Sequence, residues 1–152
     1  MPIARIKPDL DMHYRLDDYT DPWREAEAVL MVHGNHEGSA AWYGWVPTLA
    51  RHYRVVRPDT RGFADSTPMP RDFPWSLDLV IEDFVQLMDS LRIGRFHLVG
   101  AKIGGTIARA FAARRPERVR TLTVVGSPVP RRADNRAAML KTIEEGGIEA
   151  RV

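Results

Sequence analysis

In the stretch VGAKIGG, Val99 to Gly105, a lysine stands at the tip of a turn that leads from an apolar run into a helix-like segment. Gly100 and Gly104 flank Lys102 at two positions on either side, where a sharp strand-to-helix turn requires small residues, and Gly105 lets the next element lie close. The spacing matches the nucleophile elbow G-x-S-x-G, whose strained tip residue projects its side chain into a site. A lysine there has two chemistries open to it. In a dry pocket a neutral amine is a nucleophile, a Schiff-base former or a general base; as a cation it holds an anion. The strict phosphate-loop patterns G-x-G-x-x-G and G-x-x-x-x-G-K-[ST] are both absent, so nucleotide binding is the minor reading of this turn.

Partners for such a lysine are sparse. All five histidines, His13, His33, His36, His52 and His97, precede it, and the carboxylates that follow, such as Asp134, Glu144 and Glu149, have no imidazole after them to orient. His36 and Trp42 lie in one segment after the dipeptide His33-Gly34 and could face a substrate; loop solvation and helix packing account for them equally well. His97, inside an apolar run, reads as a buried structural histidine. Asp59, Arg61 and Asp65 in RPDTRGFADS read as charge-assisted ties between loops. With no cysteine, disulfides, zinc thiolate sites and a cysteine nucleophile are all excluded, and no other metal set or cofactor motif is read.

The elements that would position these residues alternate in type. AVLMVHG (Ala28 to Gly34) is a short apolar run closed by glycine, as in strands covered on both faces. Helical spacing of Trp42, Trp45, Val46 and Leu49 follows, with Pro47 tolerable near a first turn, and then the strand RVVRPD (Arg54 to Asp59). Ser76 caps a predicted helix that carries Leu77, Val80, Ile81, Phe84, Val85, Met88 and Leu91 on one side, with Asp78 in its first turn and Gly94 past its end. The strand FHLVG (Phe96 to Gly100), a helix from about Ile103 to Arg115, and the strand TLTVVG (Thr121 to Gly126) complete the alternation, after a polar opening with one strand near Met12 to Leu16. Such order predicts an α/β fold, a mostly parallel sheet with helices on both faces, in which ligands gather at the carboxyl ends of the strands.

Composition sets the outer limits. The 152 residues are 44% hydrophobic and 28% charged, ordinary for one globular domain. A formal charge of +2, with arginines grouped at predicted helix ends, gives no nucleic-acid footprint. No run approaches the roughly 20 apolar residues that cross a bilayer, and the start lacks a signal-peptide core, so neither membrane nor export is expected and a cytoplasmic location is.

Four motifs in order, VHGNHEGS, RVVRPDTRGFADS, FHLVGAKIGG and PERVRTLTVVGSP, span about Ala28 to Pro130, and through them the chain resembles the α/β-hydrolase superfamily, in its cofactor-independent esterase and enol-lactonase-like branch. The resemblance implies an α/β-hydrolase core truncated before the lid and the last strands. On that reading residues 1–132 are the N-terminal part of the core and 133–152 begin the lid helix region. It implies an oxyanion hole made by the backbone N–H groups of Asn35 and Ile103, each worth about 3 kcal/mol to a developing negative oxygen in a dry site. It also implies that His33 shapes the loop at Gly34 through nearby backbone. HGN is similar to the dehalogenases of the superfamily too, but their aspartate nucleophile is absent, and Ala64 stands where a second glycine is usual. A sheet cut there would leave a hydrophobic edge, so a missing C-terminal half, a second chain or an oligomer is expected to cover it. The activity implied is that of an enzyme acting on a small carbonyl substrate, an ester or lactone, with Lys102 in the nucleophile's place and lyase-like or base chemistry open to it; the alternative is a catalytically silent ligand-binding or scaffold protein.

Overall fold

The computed structural model describes residues 3–127, so the lid region read at 133–152, together with Asp134, Glu144 and Glu149, lies outside the described residues. The chain opens with a hairpin, β1 (Ile3–Lys7) and β2 (Leu10–Asp17), where the sequence reading has one strand; Pro8 and Asp9 make the turn between them. Then come β3 (Ala28–Val32), β4 (Arg54–Pro58), β5 (Phe96–Ala101) and β6 (Val119–Val125). The sheet order is β1-β2-β4-β3-β5-β6; β1, β2 and β4 pair antiparallel, whereas β4-β3, β3-β5 and β5-β6 pair parallel. From β3 the chain crosses first to one neighbour and later to the other. That reversal opens a crevice at the carboxyl ends of β3 and β5, the location at which open α/β sheets bind ligands.

Period-two alternation in the central strands divides the core into two layers. Ala28, Leu30 and Val32 of β3, Val56 of β4 and Phe96 and Leu98 of β5 face one side. There they meet Val80, Ile81, Phe84, Leu87 and Met88 of α2 (Leu77–Ser90), and Ile107, Ala108 and Phe111 of α3 (Ile103–Arg114). Val29 and Met31, Val55 and Val99 face the other side, against Trp42, Val46 and Ala50. All five residues of β3 are buried, so an unbroken apolar run is what a strand covered on both faces requires. Each large aliphatic or aromatic side chain withdrawn from water contributes about 2 kcal/mol.

Helix ends follow local chemistry. The Ser76 side chain accepts from the Leu79 N–H and caps α2, which stops at Leu91, three residues before Gly94. The second aromatic segment is a 3₁₀ turn over Ser39–Trp45 followed by the single-turn α1 (Val46–Leu49), not one helix, because Pro47 has no N–H to give and fits only in a first turn. Buried charge ties hairpin to helix: Arg61 Nε and Nη2 donate to the two oxygens of Asp83 in α2 at 2.9 and 3.1 Å, Arg61 Nη1 reaches Asp9 at 2.7 Å, and Lys7 Nζ reaches Asp83 at 2.6 Å. β6 is the last strand of the described sheet, with Leu122 and Val125 exposed.

Candidate active site

Between β5 and α3 the backbone turns at a single residue. Lys102 has φ +53° and ψ −122°, a left-handed-side conformation that costs a non-glycine residue about 1–3 kcal/mol and persists only where neighbours enforce it. They do so by contact. A Cβ on Gly104 would run into the carbonyl oxygens of Val32 and His33, so glycine is required where α3 presses on the end of β3. On the other side of the turn, a Cβ on Gly100 would run into the Gly104 carbonyl. The Lys102 N–H donates to the Val125 carbonyl at 3.0 Å, which ties the turn to β6. Ile103 opens α3, so its N–H is one of the first-turn donors that have no intrahelical acceptor.

The facing loop follows β3. His33 is buried; its Nε2 accepts from the Thr60 N–H at 2.9 Å, which leaves Nδ1 to carry the proton and donate to the Gly34 carbonyl at 2.8 Å. Burial pushes the imidazole below its ordinary pKa, against the pull of the Gly34 carbonyl and the Asp59 and Glu37 charges. The Gly34 carbonyl and the Asn35 N–H belong to one planar trans peptide and point in opposite directions, so pinning the carbonyl fixes the aim of the amide. His33, Gly34, Asn35 and Ile103 line a single cavity of about 230 Å³ with Thr60, Phe63, Met69, Trp75 and Ile107.

Lys102 sends its side chain elsewhere. Its stem passes over Gly34, where an added Cβ would sit 2.7 Å from Lys102 Cδ, and its Nζ is ion-paired with Glu37 Oε1. The side chain is 61% exposed and does not line the cavity, whereas the elbow spacing had predicted a side chain aimed into the pocket. The Lys102 ammonium holds the Glu37 carboxyl below its ordinary range, and a second donor, the Gly34 N–H, reaches Glu37 Oε2 at 2.9 Å.

A model of the alpha/beta hydrolase fold family matches residues 27–144. The chain belongs to this family. Among curated relatives it is 41% identical over 102 residues, 65% of this chain and 36% of the relative, to a 2-hydroxymuconate semialdehyde hydrolase of Pseudomonas sp. (strain CF600). It is 35% identical over 101 residues, 66% of this chain and 38% of the relative, to a pimeloyl-[acyl-carrier protein] methyl ester esterase of Aeromonas hydrophila. The enol-lactonase of Burkholderia xenovorans LB400 superposes with a TM-score of 0.75 at 27% identity, covering 98% of this chain and 56% of that one. The chain thus spans about two-fifths of the length of these curated relatives and about half of that solved structure.

Within this alpha/beta hydrolase fold the remaining residues singled out by sequence divide by burial. Trp42 is buried on the second face of the sheet with Val29, Met31 and Val99, which assigns it to packing and removes it from the substrate side. His36 is exposed with φ +57°, and Asn35 is exposed beside it. His97 is only half-buried, with Nε2 paired to Glu27 at 2.9 Å, Nδ1 to Thr121 Oγ1 of β6 at 2.8 Å and Tyr53 edge-on against its ring, a correction to the buried role read from its strand. Asp59 is the hub of the loop behind the cavity, taking the Ser39 N–H at 2.5 Å, His13 Nδ1 at 2.6 Å and the Asp65 N–H at 3.2 Å. Burial pushes the Asp59 carboxyl up; those donors overcome it, and the net shift is downward. Among the described residues, His13, Asp59 and Asp65 bring metal-ligand atoms within 4.8 Å of one another, yet the Asp59 oxygens are already engaged by these donors. No helix among the described residues is long and apolar enough to cross a membrane.

The sequence reading overlooked two sets of residues. Glu37 lies three positions after Gly34, and only the unpaired cation at Lys102 hinted that a carboxylate would meet it. The cavity walls Thr60, Phe63, Met69 and Trp75 come from the connection between β4 and α2, and Ile107 comes from α3, with no shared spacing to reveal them.

Proposed function

We propose that this chain carries the carbonyl-polarising part of an α/β-hydrolase-family enzyme that acts on a small carbonyl compound, of ester or lactone type, without a cofactor. The observation that carries the reading is the shared cavity of Asn35 and Ile103 beside a strained Lys102 backbone, with the Asn35 peptide held by His33. A substrate carbonyl oxygen seated between the two amides gains negative charge as the carbonyl carbon is attacked, and donors fixed in advance stabilise that charge without reorganising. Phe63, Met69, Trp75 and Ile107 supply an apolar wall that takes the body of the substrate and excludes water, which strengthens both hydrogen bonds. Lys102 stands where acyl transfer places its nucleophile. In its ion pair with Glu37 it is an ammonium with no lone pair, so it serves as a cation near the polarised carbonyl; amine chemistry begins only once it leaves Glu37 and gives up a proton. In the same reading residues 1–132 form the N-terminal part of the core and 133–152 begin the lid, in a cytoplasmic protein whose sheet is completed beyond β6 by further chain or a partner.

The exposure of Lys102 favours a second reading, ligand binding without turnover. The 152-residue chain, offered phenyl acetate and γ-butyrolactone, separates the two. Turnover that falls tenfold or more in Lys102→Ala supports the enzyme with Lys102 in it, and unchanged turnover in that variant removes Lys102 from the chemistry. Binding of both compounds without turnover supports the silent protein. Borohydride reduction in the presence of an aldehyde such as propanal leaves a secondary amine on Lys102 only where its neutral amine forms a Schiff base by loss of water.

A further inference from the structure

Gly34 is held from both sides. Its carbonyl accepts from His33 Nδ1, and its N–H donates to Glu37 Oε2 at 2.9 Å. The other oxygen of Glu37 is ion-paired with Lys102, the first residue past β5 and the neighbour of Ile103. One carboxylate therefore bridges the loop that carries Asn35 and the elbow that carries Ile103. Neither connection is incidental to the route of the chain: Glu37 and Lys102 are 65 positions apart, and the Lys102 stem lies directly on Gly34.

We propose that Glu37 is a positioning residue, which sets the Asn35 amide against the Ile103 amide by strapping the loop after β3 to the elbow, with Lys102 as the far end of the strap. This rests on the reading of those amides as the carbonyl-binding pair. The strap has two arms that substitution separates. Glu37→Gln keeps an acceptor for the Gly34 N–H and loses the ion pair; Lys102→Met loses the ion pair and keeps the stem over Gly34; Glu37→Ala loses both arms. If each arm holds the loop, then Glu37→Ala has the largest effect, and adding Lys102→Met to it changes nothing further, since the partner is already gone.

Two measurements on the full chain test this. Hydrogen exchange at the Gly34 amide, followed by NMR, is expected to be about tenfold faster or more in Glu37→Ala, the factor that a charge-assisted hydrogen bond of this kind supplies. Glu37→Gln should restore protection at Gly34. The carbonyl stretch of bound phenyl acetate is expected to shift to lower frequency in the wild-type protein and to lose most of that shift in Glu37→Ala, with Glu37→Gln between them. Unchanged exchange at the Gly34 amide in Glu37→Ala overturns the strap, and a wild-type carbonyl shift that survives in full in Glu37→Ala overturns its positioning of the two amides. Faster exchange in Glu37→Ala, with no carbonyl shift even in the wild-type protein, retains the strap between loop and elbow and overturns only the carbonyl-binding role of the two amides.

Discussion

Gly104→Ala puts the close approach of α3 and β3 to the test. On helix propensity alone the change is favourable by up to about 1 kcal/mol, since alanine is the better helix former. Packing says the opposite. The new Cβ would fall on the carbonyl oxygens of Val32 and His33 and 2.8 Å from the Val32 carbonyl carbon; all are backbone atoms at the end of a strand buried on both faces, with no rotamer to escape through. Overpacking of this kind costs about 1–3 kcal/mol, and because two carbonyls are struck the upper end applies, leaving a net loss of about 2 kcal/mol. With a urea slope of about 2 kcal/mol/M for a domain of this size, the unfolding midpoint should fall by about 1 M. Gly44→Ala is the control: a Cβ there meets nothing within 4 Å, so it should hold stability or raise it by about 0.4–1 kcal/mol through the unfolded chain, a midpoint gain of up to about 0.5 M at the same slope. Tryptophan fluorescence across a urea series reads both. A Gly104→Ala midpoint equal to or above wild type, moving with Gly44→Ala, would refute the claim that backbone contact selects glycine at this turn.

Two further outcomes follow from buried charge. Asp83→Asn leaves the Arg61 guanidinium buried with only Asp9 as a full counter-charge, and should cost about 3 kcal/mol, or well over 1 M in the same urea assay; a shift below 0.3 M would show that the pair contributes little (~0.6 kcal/mol at that slope). Burial depresses the His33 pKa, so folding favours the neutral ring: its contribution to stability is complete above about pH 6.5 and is lost as the pH falls below that value, where the unfolded chain takes up the proton first. Nitrogen NMR at pH 7 should show His33 neutral and protonated on Nδ1, and a His33 titration at or above pH 6.5 would contradict the burial and the two hydrogen bonds that hold the ring neutral.

Legibility in the sequence followed the range of the interaction. Strands β3, β4 and β5 were readable to within two residues because burial on both faces leaves only apolar side chains, a local and unbroken signal. α2 was readable for a similar reason, its apolar stripe and its Ser76 cap both being local. The hairpin at the start was half-missed, since β1 has no fully buried residue and offers only Ala4 and Ile6 to the core; its ion pair to α2 joins Lys7 and Asp83, which lie 76 positions apart. The same limit applied at the site. Glycine spacing revealed the elbow, because the turn is a property of seven consecutive residues. The direction of the Lys102 side chain was not legible, since it is decided by Glu37 across the crevice.

That division explains how an elbow can tolerate a lysine. What strains the turn is backbone meeting backbone: Gly104 against the ends of β3, Gly100 against Gly104, and the Lys102 N–H against β6. None of these contacts involves the side chain at the tip, so the turn forms whatever residue stands there, provided the surrounding packing covers a strain of about 1–3 kcal/mol. The two amides share the same independence. One belongs to the peptide that His33 pins and the other to the first turn of α3, and neither needs a hydroxyl at position 102. A serine at the tip could not span the distance to Glu37 that the four-carbon lysine stem covers, so exchanging lysine for serine trades a reacting group against an anchor. Lys102→Ser is therefore the substitution in which the two roles oppose each other: it puts a hydroxyl at the tip and removes both the ion pair to Glu37 and the stem that lies over Gly34, while the bond from the Gly34 N–H to Glu37 remains.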